Sequence, residues 1–253
     1  MIKLFRNIRQ KLINEGKTTN YLKYAIGEII LVVIGILIAL QVNNWNENRK
    51  QNIQKNLLIQ SLIADLKMDT TMLNKTLKIL AEDTTRVLGY TKRMSGNHLT
   101  IDTLIHIARY EFNPELHFNT SFNNNTLQSL MSTGNLNILD RWIQKDILEL
   151  NEMHETYIAR TNLNSKGYVD QIIVYARKYP LKDYGNISPK SKLADEIWRN
   201  VQFSELGSQF NALLAIRNVT NLNAIEQLKE IHVKTSDIIE RLDSINNKSF
   251  HSN

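Results

Sequence analysis

The sequence predicts an all-α protein in which an N-terminal transmembrane helix is followed by an elongated bundle of about three long helices plus short helices. Three observations support this fold class. One uninterrupted apolar run, residues 29–40, is far more hydrophobic than any other stretch. Apolar residues in the rest of the chain recur at steps of three and four, which is the period of an amphipathic helix. Only three prolines and nine glycines interrupt the 253 residues, which favours long helices.

The composition limits the classes of function. The net charge is +6, but residues 1–50 carry eight Lys or Arg against three Glu, so residues 51–253 have a net charge of only +1. A nucleic-acid-binding domain needs a concentrated basic surface, and we therefore expect no nucleic-acid partner. The absence of cysteine excludes disulfides, a thiolate nucleophile and Cys-ligated zinc.

Residues 1–23 are expected to form a basic amphipathic tail on the cytoplasmic face of a membrane. Ile2, Phe5, Ile8 and Leu12 recur at helical spacing, and lysines and arginines lie beside them, as in helices that bind an anionic membrane surface. Six Lys or Arg precede the apolar run and three follow shortly after it. By the positive-inside rule, this asymmetry places the N-terminus in the cytoplasm and the bulk of the chain outside it.

Residues 24–45 are expected to form the transmembrane helix. The 19 residues from Tyr24 to Val42, at roughly 1.5 Å each, extend over about 28 Å, close to the roughly 30 Å of a hydrocarbon core. Tyr21 and Tyr24 at one end and Trp45 at the other are typical of the aromatic belts at membrane interfaces. Because no small-x-small cleavage site ends the run, we expect an uncleaved signal anchor.

Glu28, Gly35 and Ala39 fall on one side of the predicted span. An ionisable residue inside a span is a functional hypothesis by default, although Glu28 lies only about one turn from Tyr24 and could instead reach the interface. Gly35 and Ala39 form the small-xxx-small pattern that lets two helices approach closely. We therefore predict self-association, or docking to another membrane protein, along this side.

Two stretches carry a resemblance to a known family. The first is YLKYAIGEIILVVIGILIALQVNNWNE at residues 21–47, which follows a basic IKLFR start, and the second is TLQSLMSTGNL at residues 126–136. They resemble the hallmark and a looser second signature of a large domain-of-unknown-function family of single-span envelope proteins in Gram-negative bacteria. The resemblance implies a location in the membrane, and together with the charge asymmetry it gives the expectation of a single-pass protein of the inner membrane whose bulk is periplasmic. It supplies no activity, cofactor or catalytic residue.

Residues 46–253 are expected to fold as a helical bundle outside the cytoplasm. A first long helix continues from the span to about Thr91, because residues 46–88 contain neither proline nor glycine and their leucines step by threes, fours and sevens. A second long helix is predicted from about Ile138 to Tyr179, and a third from about Ser204 to Asn247. Three such helices, joined by segments that let neighbours run antiparallel, form an elongated bundle.

Breaks and short helices are predicted between the long ones. The Ser95-Gly96-Asn97 stretch ends the first long helix, and Thr100 is placed to cap a short helix that continues to about Tyr110. A second short helix ends at Gly134, and Pro180 ends the second long helix.

Aromatic residues and histidines were weighed as sites. Four aromatic residues lie close together near one end of the domain: Tyr175, Tyr179, Tyr184 and Trp198. This pattern predicts a surface for a partner or a stacked ligand, with core packing as the alternative.

The six histidines show no metal-ligand spacing. We therefore expect surface histidines and no metal or other cofactor.

A buried polar pair is predicted between two long helices. The apolar stepping of the third long helix is interrupted at Arg217, and that of the first is interrupted at Asp69. A buried guanidinium is costly unless it is paired. Because the two helices run parallel in an up-down-up bundle and the residues lie at similar distances from the helix starts, we predict that Asp69 and Arg217 meet or share a polar network.

The function predicted from these features is that of a membrane-anchored structural or interaction protein of the bacterial envelope, without catalytic activity. Its expected partners are membrane lipid and either a second copy or another membrane protein. The alternative is a ligand-binding sensor module. Because a tail of 23 residues cannot contain a signalling domain, such a sensor would have to signal through a separate membrane partner.

Overall fold

The protein is helical throughout the part of the chain that the structure describes. The computed structural model describes residues 18–118, 121–182, 188 and 190–250. Within these ranges every regular element is an α-, π- or 3₁₀-helix and none is a strand. The predicted all-α fold class is therefore confirmed. Most of the predicted basic tail at residues 1–23 lies outside the described residues.

The first helix, α1, runs from Thr18 to Met94 over 77 residues. It contains both the predicted transmembrane helix and the predicted first long helix. It ends immediately before the Ser95-Gly96-Asn97 stretch, and Lys92 and Arg93 occupy its last turn, where positive charge interacts favourably with the helix dipole. By length and composition, α1 is able to cross a membrane.

The chain divides into two compact units, residues 1–57 and residues 58–253. In the first unit the described residues belong to the N-terminal part of α1, and the large apolar side chains there are about half exposed. The second unit contains the rest of α1, two further long helices and three short ones. The hydrophobic core and the buried polar sites described below all belong to the second unit.

The long helices of the second unit are residues 58–94 of α1, α4 (Arg141–Ala176) and α6 (Phe203–Phe250). The short helices are α2 (Ile101–His106), which continues as a π-helical turn (Ile107–Glu111), α3 (Asn125–Thr133), which is followed by a 3₁₀ turn (Asn135–Ile138), and α5 (Lys192–Arg199). The three long helices have the order and approximate extents that the sequence predicts.

Local signals set the ends of these helices as predicted. The Thr100 hydroxyl caps α2 by accepting a hydrogen bond from the Thr103 amide at 3.2 Å. Gly134 ends α3 in the left-handed conformation with φ of 70°, which is open to glycine without steric cost. α4 ends at Ala176, four residues before Pro180.

The core consists of two apolar clusters. The first cluster joins α1, α3, α4 and α6 through leucines and isoleucines such as Leu73, Leu150 and Leu228. The second cluster joins α1, α2, α4, α5 and α6 and is rich in aromatic residues, including Phe112 and Phe210. Aromatic side chains fill the wider space where two short helices meet the long ones.

Candidate functional site

A buried ion pair joins Arg217 of α6 to Asp83 of α1. The guanidinium binds the carboxylate in a bidentate manner, with Nε donating to Oδ2 at 2.8 Å and Nη2 donating to Oδ1 at 2.6 Å. Each side chain is only 4% exposed. Burial by itself would lower the pKa of Arg217, but the hydrogen bonds and charge interactions with Asp83 and Tyr168 together outweigh burial and raise that pKa above its ordinary value. Arg217 is therefore a permanent cation inside the bundle.

The remaining donors of Arg217 are also used. Nη1 donates to the Asn113 carbonyl and to the Tyr168 hydroxyl, the latter at 3.4 Å, and Nη2 donates to the Glu115 carbonyl at 2.8 Å. An arginine side chain has five N–H donors, and all five have a partner here. This arrangement, which we call the Arg217 clamp, leaves no donor for a ligand and ties α1, α4, α6 and the segment after the π-helical turn together.

The Arg217 clamp lies between the two apolar clusters. Along α1, Asp83 falls between Leu80 of the first cluster and Val87 of the second. Along α6, Arg217 falls between Leu214 of the second cluster and residues of the first. Asn221, one turn further along α6, donates from Nδ2 to the Asp83 Oδ2 at 2.7 Å. A layer of paired polar groups thus separates two apolar parts of one core.

The predicted pair of Asp69 with Arg217 is wrong. Both residues are buried, but the carboxylate partner of Arg217 is Asp83, and Asp69 instead accepts a hydrogen bond from the Asn123 amide at 2.7 Å. Asp69 and Asp83 are about four turns apart on α1, roughly 21 Å along the helix axis. The distance of a residue from the start of its helix does not determine how two helices are aligned, and the prediction failed for this reason.

Asp69 belongs to a second buried polar site, which lies beside α3. Asp65 Oδ2 accepts a hydrogen bond from the Thr126 amide at 2.9 Å, one turn along α1 from the bond between Asp69 and Asn123. Asn124, the N-cap residue of α3, makes no side-chain capping bond. Asp65 therefore supplies the acceptor that a capping residue usually provides, at the end of α3 where the helix dipole favours negative charge, and Asp69 holds the amide of the residue just before the N-cap.

A cavity of about 30 Å³ lies against these carboxylates. Its lining contains the polar residues Asp65, Asp69 and His154, asparagines of the adjoining loop and of α4, and the apolar residues Leu62, Leu66, Leu127, Ile147 and Leu150. Asp69 Oδ2 and His154 Nε2 are both buried and have no hydrogen-bond partner among the described residues. We call this feature the Asp69 cavity.

The two titratable groups of the Asp69 cavity have pKa values shifted towards the neutral form. Burial raises the pKa of Asp69 to about 6, the Asn123 amide opposes this change, and the nearby Asp65 adds to it. Burial lowers the pKa of His154 to about 4. The His154 ring also stacks on Phe122 with the ring centroids 3.7 Å apart. Near neutral pH, Asp69 is therefore mostly ionised and His154 is neutral.

The predicted aromatic surface is wrong for three of its four residues. Tyr175, Tyr179 and Trp198 are 1%, 3% and 2% exposed. The Tyr179 ring stacks on Trp198 at 5.6 Å and lies 5.1 Å from the Tyr175 ring. These residues belong to the second apolar cluster, as the core-packing alternative holds, because the short helices cover this end of the long ones. Tyr184 lies outside the described residues.

The expectation of surface histidines is wrong for His154, which is 6% exposed. Among the residues that the structure describes, no group of three or more His, Asp or Glu side chains is placed to hold a metal ion. His98 and His117 are exposed, as expected.

The predicted membrane seam lies in the first unit. Ala39 is exposed, Glu28 is partly exposed, and a methyl group placed on Gly35 would have no heavy atom within 4 Å. The space beside Gly35 is therefore open to an approaching helix. Association along this side stays a prediction.

Four residues of these sites were not predicted from the sequence: Asp65, Asp83, Asn221 and His154. Asp83 could have been found, because Leu73, Leu80 and Val87 step by sevens and Asp83 occupies an inward position between the last two. Nothing in the spacing of His154 distinguishes it from an exposed histidine.

Comparison with known proteins identifies a family, and the function of that family is unknown. The model of a family of unknown function (DUF6090) matches residues 28–175, more than half of the chain. The matched region includes Asp69, Asp83 and His154, whereas Arg217 lies beyond it. No curated protein and no solved structure matches the chain. The resemblance to a family of unknown function is confirmed at this level.

Proposed function

The chain belongs to this family of unknown function, DUF6090, and we propose that it is a membrane-anchored structural or interaction protein of the bacterial envelope. In this proposal residues 24–45 cross the inner membrane once, the N-terminus lies in the cytoplasm, and the bundle lies in the periplasm. The protein binds membrane lipid and either a second copy or another membrane protein, and it has no catalytic activity.

One observation carries the proposal, namely the exposed apolar surface of α1. From Ile29 to Val42, every isoleucine, leucine and valine has 47% to 64% of its surface exposed. Soluble proteins rarely leave a continuous apolar surface of this kind open to water. A lipid bilayer would cover it, and a helix satisfies its backbone hydrogen bonds internally, as a span requires.

The orientation is supported by charge. The six Lys and Arg residues before the span, against three shortly after it, favour retention of the N-terminal side in the cytoplasm.

The interaction role is supported by the interior of the bundle and by the seam. The Arg217 clamp binds only groups of its own chain, which is typical of a structural element. The open space beside Gly35 allows a second helix to approach Gly35 and Ala39.

The alternative of a ligand-binding sensor requires space for an organic molecule. The Asp69 cavity has a volume of about 30 Å³, which is about the volume of one water molecule. This cavity is therefore too small for an organic ligand, whereas larger pockets of about 260, 430 and 610 Å³ lie open on the surface between α4 and α6.

Membrane insertion tests the proposal. Full-length protein should remain with membranes after washing at high pH. Leu37→Arg should reduce insertion, because arginine near the centre of a span costs about 2.5–3.5 kcal/mol. Val233→Arg is the matched control, because Val233 is an exposed valine of α6. Wild-type protein in the soluble fraction would contradict the proposal.

Orientation is tested separately. A reporter that is active only in the cytoplasm, fused after Asn253, should be silent. An active reporter would place the bundle in the cytoplasm and would overturn the proposed topology while leaving membrane insertion intact.

Self-association through the seam is tested in a membrane two-hybrid assay. Gly35→Leu should weaken the signal, because the larger side chain keeps the helix backbones apart. Ile34→Leu, on a neighbouring side of the same helix, should leave the signal unchanged. Equal signals for the two variants would exclude Gly35 from the contact.

A further inference from the structure

The residues that line the Asp69 cavity include two buried polar atoms that no other described residue satisfies. Asp69 is fully buried and His154 is 6% exposed, and Asp69 Oδ2 and His154 Nε2 have no hydrogen-bond partner among the described residues. Buried polar atoms of native proteins are almost always bonded, either to protein or to ordered water. Both residues line one cavity, and two unsatisfied atoms on them therefore point to a small polar molecule inside it.

The size of the cavity limits which molecule can occupy it. A volume of about 30 Å³ is enough for one water molecule and too small for an organic ligand. A water molecule can donate to the Asp69 carboxylate and can either donate to or accept from His154, so it fits either tautomer of the neutral imidazole.

The charges around the cavity are unbalanced. The titratable groups that line it are Asp65 and Asp69 from α1 and His154 from α4, while the loop before α3 and α3 itself contribute only asparagine and leucine side chains. Within the part of the chain that the structure describes, the lining contains no lysine or arginine. A proton is therefore the counter-charge that can reach the buried carboxylate without any rearrangement of the helices.

We propose that the Asp69 cavity is a hydrated proton-binding site, in which one water molecule bridges Asp69 and His154 and Asp69 is the group that takes up the proton. The inference concerns the bundle alone and does not depend on the proposed membrane function. It is consistent with the pKa of Asp69, which burial raises to about 6, and with that of His154, which burial lowers to about 4. Between these two values, Asp69 changes charge and His154 stays neutral.

Proton uptake has a structural consequence at the loop before α3. Asp69 Oδ1 accepts the Asn123 amide at 2.7 Å, and a neutral carboxyl group is a weaker acceptor than a carboxylate. The neighbouring bond from the Thr126 amide to Asp65, at 2.9 Å, does not involve the protonated group. Uptake of the proton should therefore loosen the loop at Asn123 while Asp65 still holds the start of α3.

The first experiment is an infrared titration of the full-length protein in detergent or nanodiscs, from about pH 8 to about pH 4. A protonated-carboxyl band should grow with a midpoint near pH 6, disappear in Asp69→Asn and persist in Asp65→Asn. His154→Phe keeps a ring against Phe122 but removes a partner of the bridging water, so it should raise the midpoint. A band unchanged in Asp69→Asn, or a midpoint unchanged in His154→Phe, would overturn the proposal.

A second experiment needs no variant and therefore does not depend on the folding of Asp69→Asn. Amide hydrogen exchange of the wild-type chain, corrected for the intrinsic effect of pH, should show that protection at Asn123 falls below about pH 6 relative to protection at Thr126. The Thr126 amide is the internal control, since Asp65 holds it throughout. A constant ratio of the two protection factors across this range would overturn the proposal.

Discussion

The Arg217 clamp and the Asp69 cavity each contain a buried aspartate of α1, but the two carboxylates differ in how completely they are hydrogen-bonded. Asp83 and Asp69 both lie buried on α1, about four turns apart. At Asp83 each carboxylate oxygen accepts from the guanidinium of Arg217. At Asp69 one oxygen accepts a single amide and the other has no partner among the described residues. A charge whose hydrogen bonds are complete holds structure, whereas a charge whose hydrogen bonds are incomplete can exchange protons.

The largest expected effect is loss of the clamp. Arg217→Met should lower the free energy of unfolding by about 3–5 kcal/mol, because it removes the bidentate partner of the buried Asp83 carboxylate and leaves only the longer contact with Arg86, at 3.6 Å, and the Asn221 amide. Chemical unfolding of the full-length protein in detergent, followed by circular dichroism, measures this change. Arg199→Met is the control, because Arg199 lies on α5 and its ion pair with Glu196 is exposed, and exposed pairs contribute about 0–1 kcal/mol. Equal losses for the two variants would mean that the clamp does not stabilise the bundle.

A smaller effect is expected from His154 as pH falls. Its folded-state pKa of about 4 lies below the ordinary 6.5, so the unfolded chain binds the proton more readily. Stability from neutral His154 is therefore complete above about pH 6.5 and is lost as the pH falls towards about 4, by about 2–3 kcal/mol in total. His154→Phe should remove this contribution from the pH dependence of the unfolding free energy. His98→Phe, at an exposed position, should leave the pH dependence as it is in the wild type, and an unaltered profile for His154→Phe would contradict the assignment.

Over the same pH range, Asp69 has the opposite effect to His154 on the free energy of unfolding. Its folded-state pKa of about 6 lies above the ordinary 3.8, so the folded chain binds the proton more readily. Relative to Asp69→Asn, the wild type should therefore become more stable as the pH falls from about 6 to about 4, by about 1–3 kcal/mol. Unfolding measured at several pH values for both proteins tests this sign. A difference that stays constant with pH would show that Asp69 does not titrate in the folded state.

The smallest expected effect is a coupling energy, which tests whether the clamp and the cavity act independently. In double-mutant cycles, Asp83→Ala with Arg217→Ala should show a coupling energy of about 0.5–3 kcal/mol, whereas Asp69→Ala with Arg217→Ala should be additive within about 0.5 kcal/mol. Coupling in the second cycle would mean that the clamp and the cavity communicate through α1.

The ion pair between the two apolar clusters also affects how α1 and α6 align. An apolar layer would tolerate a shift of α1 against α6 by one turn, because leucine packs against leucine in many arrangements. A shift that separates Arg217 from Asp83 would break the bidentate pairing of two buried charges, which is strongly destabilising. The clamp is therefore suited to setting the alignment of the two helices, which is the best-attested role of buried polar groups in helical proteins.

Much of the fold followed from the sequence because its signals are local. The apolar run at residues 29–40, the Thr100 cap and the glycine at position 134 act within a few residues of themselves. The run is helical, the cap begins α2 and the glycine ends α3, as predicted. The interruptions at Asp69 and Arg217 likewise indicated buried polar residues, and both are buried. Periodicity reports which side of a helix faces the core, and that is a property of one helix alone.

The partners of these residues depended on contacts between distant parts of the chain. Arg217 pairs with a residue 134 positions away, and the aromatic residues at positions 175, 179 and 198 are buried because short helices cover that end of the bundle. The Asp69 cavity likewise exists only where α1, α4 and the loop before α3 meet. The sequence by itself determined the helices, their order and their inward sides, because hydrophobic periodicity and capping are encoded within each segment. Only the tertiary structure decided which buried charge is paired and which can take up a proton, because the alignment of two helices is set by the packing of the whole core.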